Sequence, residues 1–306
     1  MDGERHKANL QGILKYAIAN SKAEDISQNF MENGPMDLER KQFLENALNS
    51  MALGVDVIGE LKKAICILEM SDSSTEQRIQ ALNTVRDIAD HIDFANNFIQ
   101  VGGSKVIFES LRSSDSKLRE CAAYTIAELS QNNPFCQKHF LEAGALQDLM
   151  VCTKEDGNVA SSSMHAISAL VRNFEEGSSK FIELGGLDCI LERLGSAHSN
   201  VFVKSCFLLR TLAAEFDAIR DEFVKLGAVQ KLATFVDPVI GFDIKTETVL
   251  SAICLLAQSE EGKLHLRKTD ILDTLQSIKE KNEGKEECEE ILRDTTALLD
   301  CLQKEI

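Results

Sequence analysis

The sequence predicts an all-α fold built from stacked repeats, and three observations carry that prediction. First, one six-residue pattern returns four times, as FIQVGG at 98–103, FLEAGA at 140–145, FIELGG at 181–186 and FVKLGA at 223–228. Phe98, Phe140, Phe181 and Phe223 lie 42, 41 and 42 residues apart, and Gly102, Gly144, Gly185 and Gly227 keep the same register. A fixed period of this length marks a stack of supersecondary units. Second, the chain has only three Pro, no Trp and few β-branched alternations, which favours helix throughout. Third, each pattern is followed by the same succession: a short apolar run, a Ser- and Asp-rich loop, then a longer helical stretch. Three helices in about 42 residues is armadillo geometry. The expected fold is therefore an armadillo-repeat right-handed solenoid with helical caps at both ends.

The elements follow in order. Residues 1–35 are expected to form an N-terminal arm. Within it, Leu10, Ile13, Leu14, Ala17 and Ile18 fall at helical spacing over 9–20, and a polar linker runs over 21–35 through Gly34-Pro35. A helix this short is marginal alone. It either packs against the body or serves as a mobile, peptide-like arm.

Residues 36–73 are expected to form the N-terminal cap. One helix starts at Asp37 and runs to about Met51 with Leu44, Ala47 and Leu48 inward, and a second over 57–69 buries Ile58, Leu61, Ile65 and Leu68. About four repeats then fill 74–258. Ser74 and Gln77 have capping-box spacing before the first long helix, at about 75–92. Further long helices are expected at about 116–131, 158–173, 200–215 and 245–258. Their core positions align as Val85, Ile126, Ile167 and Leu209, then Ile88, Leu129, Leu170 and Leu212. Between Phe and the next apolar run, Gly lets the chain turn through dihedrals closed to other residues. Residues 259–306 lack the Phe and the Gly pair and are expected to be a degenerate repeat and C-terminal cap, ending in a helix at about 285–303.

Composition excludes several functions. The net charge of −16 argues against nucleic-acid binding, which needs a basic footprint. No run of 18 apolar residues predicts a membrane span, and the charged start MDGERHKANLQG lacks a signal-peptide apolar region, so a cytoplasmic protein is expected, with the nucleus as a further compartment. Nine Cys are scattered without C-x-x-C spacing; Cys66, Cys206 and Cys254 sit at apolar helical positions and read as reduced, buried thiols. There is no phosphate loop, no His ligand motif and no nucleophile constellation, so no enzyme, metal or cofactor is expected.

Chemistry is expected instead on the third helices, which line the concave face of an armadillo stack. Helical spacing builds rungs: Asn83, Tyr124, His165 and Phe207; then Asp87, Glu128, Ala169 and Thr211; then His91, Asn132, Asn173 and Glu215, with Arg172 and Arg210 beside them. The Trp and Asn that clamp extended peptides in importin-type grooves are missing. The mixed ladder suits one folded protein partner.

The chain also resembles a known family, the cytosolic nucleotide exchange factors of the 70-kDa heat-shock protein (Hsp70), animal and fungal Fes-type. The resemblance rests on NLQGILKYAIANS near the start, PMDLERKQFLENAL at 35–48, IDFANNF at 92–98, AAYTIAELSQNNP at 122–134, MHAISALVRN at 164–173 and VKSCFLLRTL at 203–212. It implies a co-chaperone, with no catalytic residue of its own, whose concave face embraces lobe II of the chaperone ATPase domain so that ADP leaves. Carried over by residue, it implicates Arg172 and Asn173, Gln131 and Asn132, Lys204, Ser205 and Phe207, with Ser205 at a core-facing small position, and Asp93 and Ala95, with Phe94 where relatives often have Asn. Asn133 is expected on the same concave face. It also implies that the arm could compete for the chaperone's peptide site. The alternative reading is a general armadillo scaffold for another protein partner. A monomer is expected.

Overall fold

The computed structural model describes residues 57–89, 91–155 and 157–303. The chain divides into two compact units, Met1–Lys62 and Lys63–Ile306. Of the first, only residues 57–62 are described. The expected helix over 9–20 with Leu10, Ile13, Leu14 and Ile18, the linker, and the helix from Asp37 lie outside the described residues.

The helix over 57–69 buries Leu61, Ala64 and Leu68. Two inward assignments are corrected. Ile58, in its first turn, is exposed, and so is Cys66. Cys66 sits two residues before Leu68, about 200° away around the helix, which turns it from the buried stripe.

Sixteen further α-helices fill residues 75–303, and no strand occurs among the described residues. The first long helix, α1 (Thr75–Ile88), opens on the expected capping box: Ser74 Oγ accepts from Gln77 N at 3.3 Å, and Gln77 Oε1 accepts from Ser74 N at 2.8 Å. Triplets of two short helices and one long helix follow. They are α2 (Ile92–Gln100), α3 (Ser104–Leu111) and α4 (Ser116–Ser130); α5 (Pro134–Glu142), α6 (Ala145–Cys152) and α7 (Asn158–Val171); and α8 (Glu175–Glu183), α9 (Gly186–Arg193) and α10 (Ser199–Glu215). The next two are α11 (Asp217–Lys225), α12 (Ala228–Ala233) and α13 (Ile244–Leu256); and α14 (Glu260–Leu266), α15 (Leu272–Asn282) and α16 (Glu289–Gln303). The long helices pack side by side in chain order, α1 on α4, α4 on α7, α7 on α10, α10 on α13 and α13 on α16. This is an all-α armadillo solenoid.

The recurring Phe-Gly pattern closes each pair of short helices. Phe98, Phe140, Phe181 and Phe223 are fully buried. Gly102, Gly144, Gly185 and Gly227 all take left-handed φ, between +78° and +88°, as the tight turn demands. The second glycine has a different reason. A Cβ on Gly103 would lie 2.4 Å from the Phe98 ring, and one on Gly186 would lie 2.5 Å from the Phe181 ring. The other two copies carry Ala145 and Ala228 there, both buried, so ring and small residue are fitted copy by copy. In the last triplet Leu266 stands at the Phe position, with no exposed surface.

The long helices stop earlier than their apolar periodicity predicts. α1 ends at Ile88, and His91 caps α2 instead of continuing the helix. α4 and α7 end at Ser130 and Val171, and each is followed by an extended residue and then an Asn in the left-handed region: Asn132 at φ +53° and Asn173 at φ +52°. Asn is the side-chain-bearing residue that tolerates this conformation most readily. α10 has no such turn and runs through Glu215.

Candidate functional site

Four neighbouring long helices, α1, α4, α7 and α10, present one face built from rings and cations. Tyr124 and His165 meet edge to face, ring centroids 6.0 Å apart. The Arg86 guanidinium lies 5.6 Å from the Tyr124 centroid, and Lys204 Nζ lies 5.3 Å from it. Arg172 in turn covers Phe207 at 5.5 Å. The spacing explains the pattern: Arg86 follows Asn83 by three residues, and Lys204 precedes Phe207 by three, so each cation shares a helix face with a rung residue; Arg86 reaches Tyr124 on the next helix, and Lys204 reaches back across α7 to the same ring on α4. Each such contact contributes about 0.5–1 kcal/mol where exposed.

The charge balance of this face is unlike that of the chain. Residues 157–174 and 194–214 contain no Asp or Glu, although the net charge is −16. Arg172 at the end of α7 and Lys204 and Arg210 on α10 therefore have no carboxylate on their own helices until Glu215. Burial lowers the Lys204 pKa, and its Nζ donates to Ser161 O at 3.2 Å. Burial, then Lys204 and Arg172, also hold the His165 pKa below its ordinary value. His165 is thus neutral near pH 7, and its Nε2, 4.0 Å from Glu128 Oε1, makes a polar contact there instead of an ion pair.

Arg172 is held by its neighbours. It caps α7, and its backbone carbonyl accepts from Gln137 Nε2 at 3.1 Å, while Ala169 O accepts from the same nitrogen at 2.8 Å. Ser178 Oγ donates to Val171 O at 2.7 Å. Buried polar side chains of α5 and α8 thus satisfy the last carbonyls of α7, which a helix end otherwise leaves open. Gln131, Asn132, His165, Ser168, Ala169 and Arg172 surround a shallow hollow between α4 and α7. Asn173 N donates to Glu215 Oε1 at 3.3 Å, which joins the third rung across two helices.

Some expected contact residues lie elsewhere. Ala95, on the inner face of α2, is 2% exposed, and Asn133 is 3% exposed. Asn133 caps α5, accepting from Cys136 N at 3.3 Å, and its Nδ2 donates to Asn96 Oδ1 at 3.0 Å. Neither side chain offers a surface to a partner; their resemblance to the family marks sequence position, and packing turns them inward. Ser205 is likewise buried, donating to Val201 O at 2.7 Å. His91 stands off the long-helix row and meets Phe94 at 5.4 Å. Asp93 is exposed on α2, and Asp87 is exposed on α1. Thr211 Oγ1 is engaged with Phe207 O of its own helix, at 2.9 Å. The sequence reading missed Arg86 and Gln137. Arg86 was legible from its spacing to Asn83; Gln137 had no signal beyond a polar residue three before a core Phe.

Among the described residues, no group of His, Cys, Asp and Glu is placed to hold a metal ion. Burial pushes the Cys136 and Cys206 thiols up to about 12, so both are protonated and inert at neutral pH. No helix among the described residues is long and apolar enough to cross a membrane.

Known proteins resemble the chain over most of its length. A family model described as the SIL1/FES1/HPBP1 C-terminal domain matches residues 94–221, which include α4, α7 and α10. A second, described as nucleotide exchange factor Fes1, matches residues 10–98, so the two run nearly end to end over about two thirds of the chain. The chain belongs to the SIL1/FES1/HPBP1 family. Hsp70-binding protein 1 of Rattus norvegicus is 28% identical over 310 residues, covering 93% of this chain and 85% of that protein. Hsp70 nucleotide exchange factor FES1 of Debaryomyces hansenii is 25% identical over 231 residues, covering 74% and 80%. Among solved structures, a designed armadillo repeat protein superposes with a TM-score of 0.66 at 20% identity, covering 79% of this chain and 99% of that one. That likeness speaks for the fold alone.

Proposed function

We propose that this protein is a nucleotide exchange factor of Hsp70, binding lobe II of the chaperone's ATPase domain through the face of α1, α4, α7 and α10. The observation that carries the proposal is a coincidence of position. The stretch matched by the family's C-terminal domain model, 94–221, holds α7 and α10, free of Asp and Glu up to Glu215, and the linked Tyr124, His165, Arg172, Lys204 and Phe207.

The mechanism needs no catalytic group. A factor that binds the open nucleotide cleft better than the closed one shifts the chaperone toward the open form. By linkage it weakens nucleotide binding by the same factor by which nucleotide weakens its own binding. On this proposal the face is concave, rigid and preorganised. Its cations meet partner carboxylates, and its rings supply apolar contact. The protein acts as a monomer in the cytoplasm.

The test is direct. Hsp70 loaded with fluorescent ADP is mixed with the protein and excess ATP, and release is followed in time. Faster release supports the proposal. Binding to Hsp70 with no change in release would make the protein a scaffold, and no binding would remove Hsp70 as its partner.

A further inference from the structure

The fourth copy of the repeat departs from register at one place. Its connection between second and third helices runs from Thr234 to Asp243, whereas the preceding copies connect over Arg112–Asp115, Thr153–Gly157 and Leu194–His198. The longer loop is not loose. Asn282, fully buried at the end of α15, donates from Nδ2 to Val239 O at 2.8 Å and accepts at Oδ1 from Gly241 N at 2.6 Å. This one amide grips the backbone on both sides of Ile240. Outside the grip, Ile240 is 69% exposed and Phe242 53%, and Ile244, the first residue of α13, is 47% exposed. Single exposed apolar residues are ordinary. Three within five residues, on a backbone fixed by a buried side chain, form a surface whose ordering cost is already met before any partner arrives.

The surroundings say which partner. Ile244 opens onto a cleft of about 590 Å³ that is also lined by Lys204, Phe207 and Arg210 of α10 and by Arg293 and Asp294 of α16. Lys204 and Phe207 belong to the long-helix face as well, so cleft and face are continuous. A folded partner usually covers about 800 Å² on each side. Neighbouring helix axes lie about 8–10 Å apart. A partner resting on α4, α7 and α10 therefore also meets α13. Arg293 is engaged with Asp294 and Glu290. Arg210, exposed and only 3.5 Å from Ser251 Oγ, is the cation the cleft offers outward.

We propose that the 237–244 loop is an apolar anchor of the same binding face: Ile240 and Phe242 pack on an apolar patch of the Hsp70 ATPase domain while Arg210 meets a carboxylate beside it. This rests on the chaperone-binding reading above. It adds a contact outside the row of long helices that carries that reading.

The test uses the full chain with Ile240→Ser and Phe242→Ser together. Both side chains are exposed, and the clamp uses only backbone of Val239 and Gly241, so the melting temperature stays unchanged. Binding to the isolated Hsp70 ATPase domain, measured by titration calorimetry, should weaken about tenfold or more. The loss should be the same at low and high salt, since it is apolar. Unchanged affinity in this variant, beside weakened affinity in Arg172→Ala, overturns the anchor and leaves the binding face standing. Failure of the wild-type chain to bind the ATPase domain overturns the parent reading. Sedimentation gives one more outcome: a wild-type dimer that the double variant converts to monomer would make the loop a surface between copies, and would overturn the proposal.

Discussion

Arg172→Ala separates a contact residue from a structural one. The side chain is partly buried and lies 5.5 Å from the Phe207 centroid, while the residue caps α7 through its backbone. The bonds that order the helix end use its backbone: Gln137 Nε2 donates to its carbonyl, and its own N–H donates to Ser168 O at 3.1 Å. Alanine keeps both. What the fold loses is one cation–ring contact, about 0.5–1 kcal/mol, which for a chain of this size lowers the melting temperature by about 1–4 °C. What binding loses is a charge-assisted bond to a partner carboxylate, about 1.5–3 kcal/mol, or roughly 10–150-fold in Kd. Thermal unfolding and titration against the Hsp70 ATPase domain, on one preparation, measure both. Phe207→Ala and the double variant complete a cycle that isolates the Arg172–Phe207 coupling. Normal binding and normal ADP release by a well-folded Arg172→Ala protein would refute the placement of this residue in the site. A large fall in stability, with binding following it down, would show that it serves the fold.

Other outcomes follow from the same geometry. Gly185→Val should cost about 1–3 kcal/mol in urea unfolding from its left-handed φ alone, because a Cβ there meets nothing within 4 Å; an unchanged midpoint would contradict the turn. Gln137→Leu leaves the Ala169 and Arg172 carbonyls without their donor, so it should cost about 1–3 kcal/mol and also weaken ATPase-domain binding. His165 has its pKa lowered by burial and nearby cations, so the unfolded chain binds the proton more readily. Its contribution to stability is fully present above about pH 6.5, the unfolded value, and is lost below it as pH falls through the lower folded value, and His165→Gln should flatten the stability profile in that window. Deleting residues 1–35 should leave ADP release from an isolated ATPase domain unchanged; loss of release would assign the arm to the primary interface.

The parts of the fold legible in the sequence are those fixed by side-chain volume and by glycine. Val85, Ile126, Ile167 and Leu209 were aligned by period alone, and all are at most 1% exposed. The Phe-Gly register was equally plain, because a buried ring and a left-handed turn each admit few residues. Helix ends were not. Apolar spacing carries through Asn132 and Asn173, and nothing in that spacing shows that the Asn backbone turns left-handed. Pro134 did offer a signal for the first of them, since a helix usually ends before a proline. The second had none. Exposure of site residues was also beyond reach. Spacing places Tyr124, His165 and Phe207 on one face, but whether Asn133 looks out or caps α5 depends on Asn96, 37 residues earlier.

Those Asn turns bear on how the face is made. Where α4 and α7 stop, Gln131-Asn132 and Arg172-Asn173 leave the helix with an extended and then a left-handed residue. The same two steps begin the next repeat and hold Gln131, Asn132 and Arg172 around the hollow beside His165. In α10 the equivalent Glu215 stays helical and accepts from Asn173 N, so the helix without the turn completes the one before it. A residue that ends a repeat therefore also shapes the proposed contact surface. Asn173→Ala tests this coupling. The left-handed φ penalises alanine by about 1 kcal/mol, and relaxing the turn would move the Arg172 carbonyl away from Gln137. Gly in place of Asn173 keeps the φ and removes the side chain. If the fold of the turn matters, Asn173→Gly should bind the ATPase domain like wild type while Asn173→Ala binds more weakly. If the Asn173 side chain itself touches the partner, both variants should weaken to the same extent, and the coupling of turn to site would be wrong.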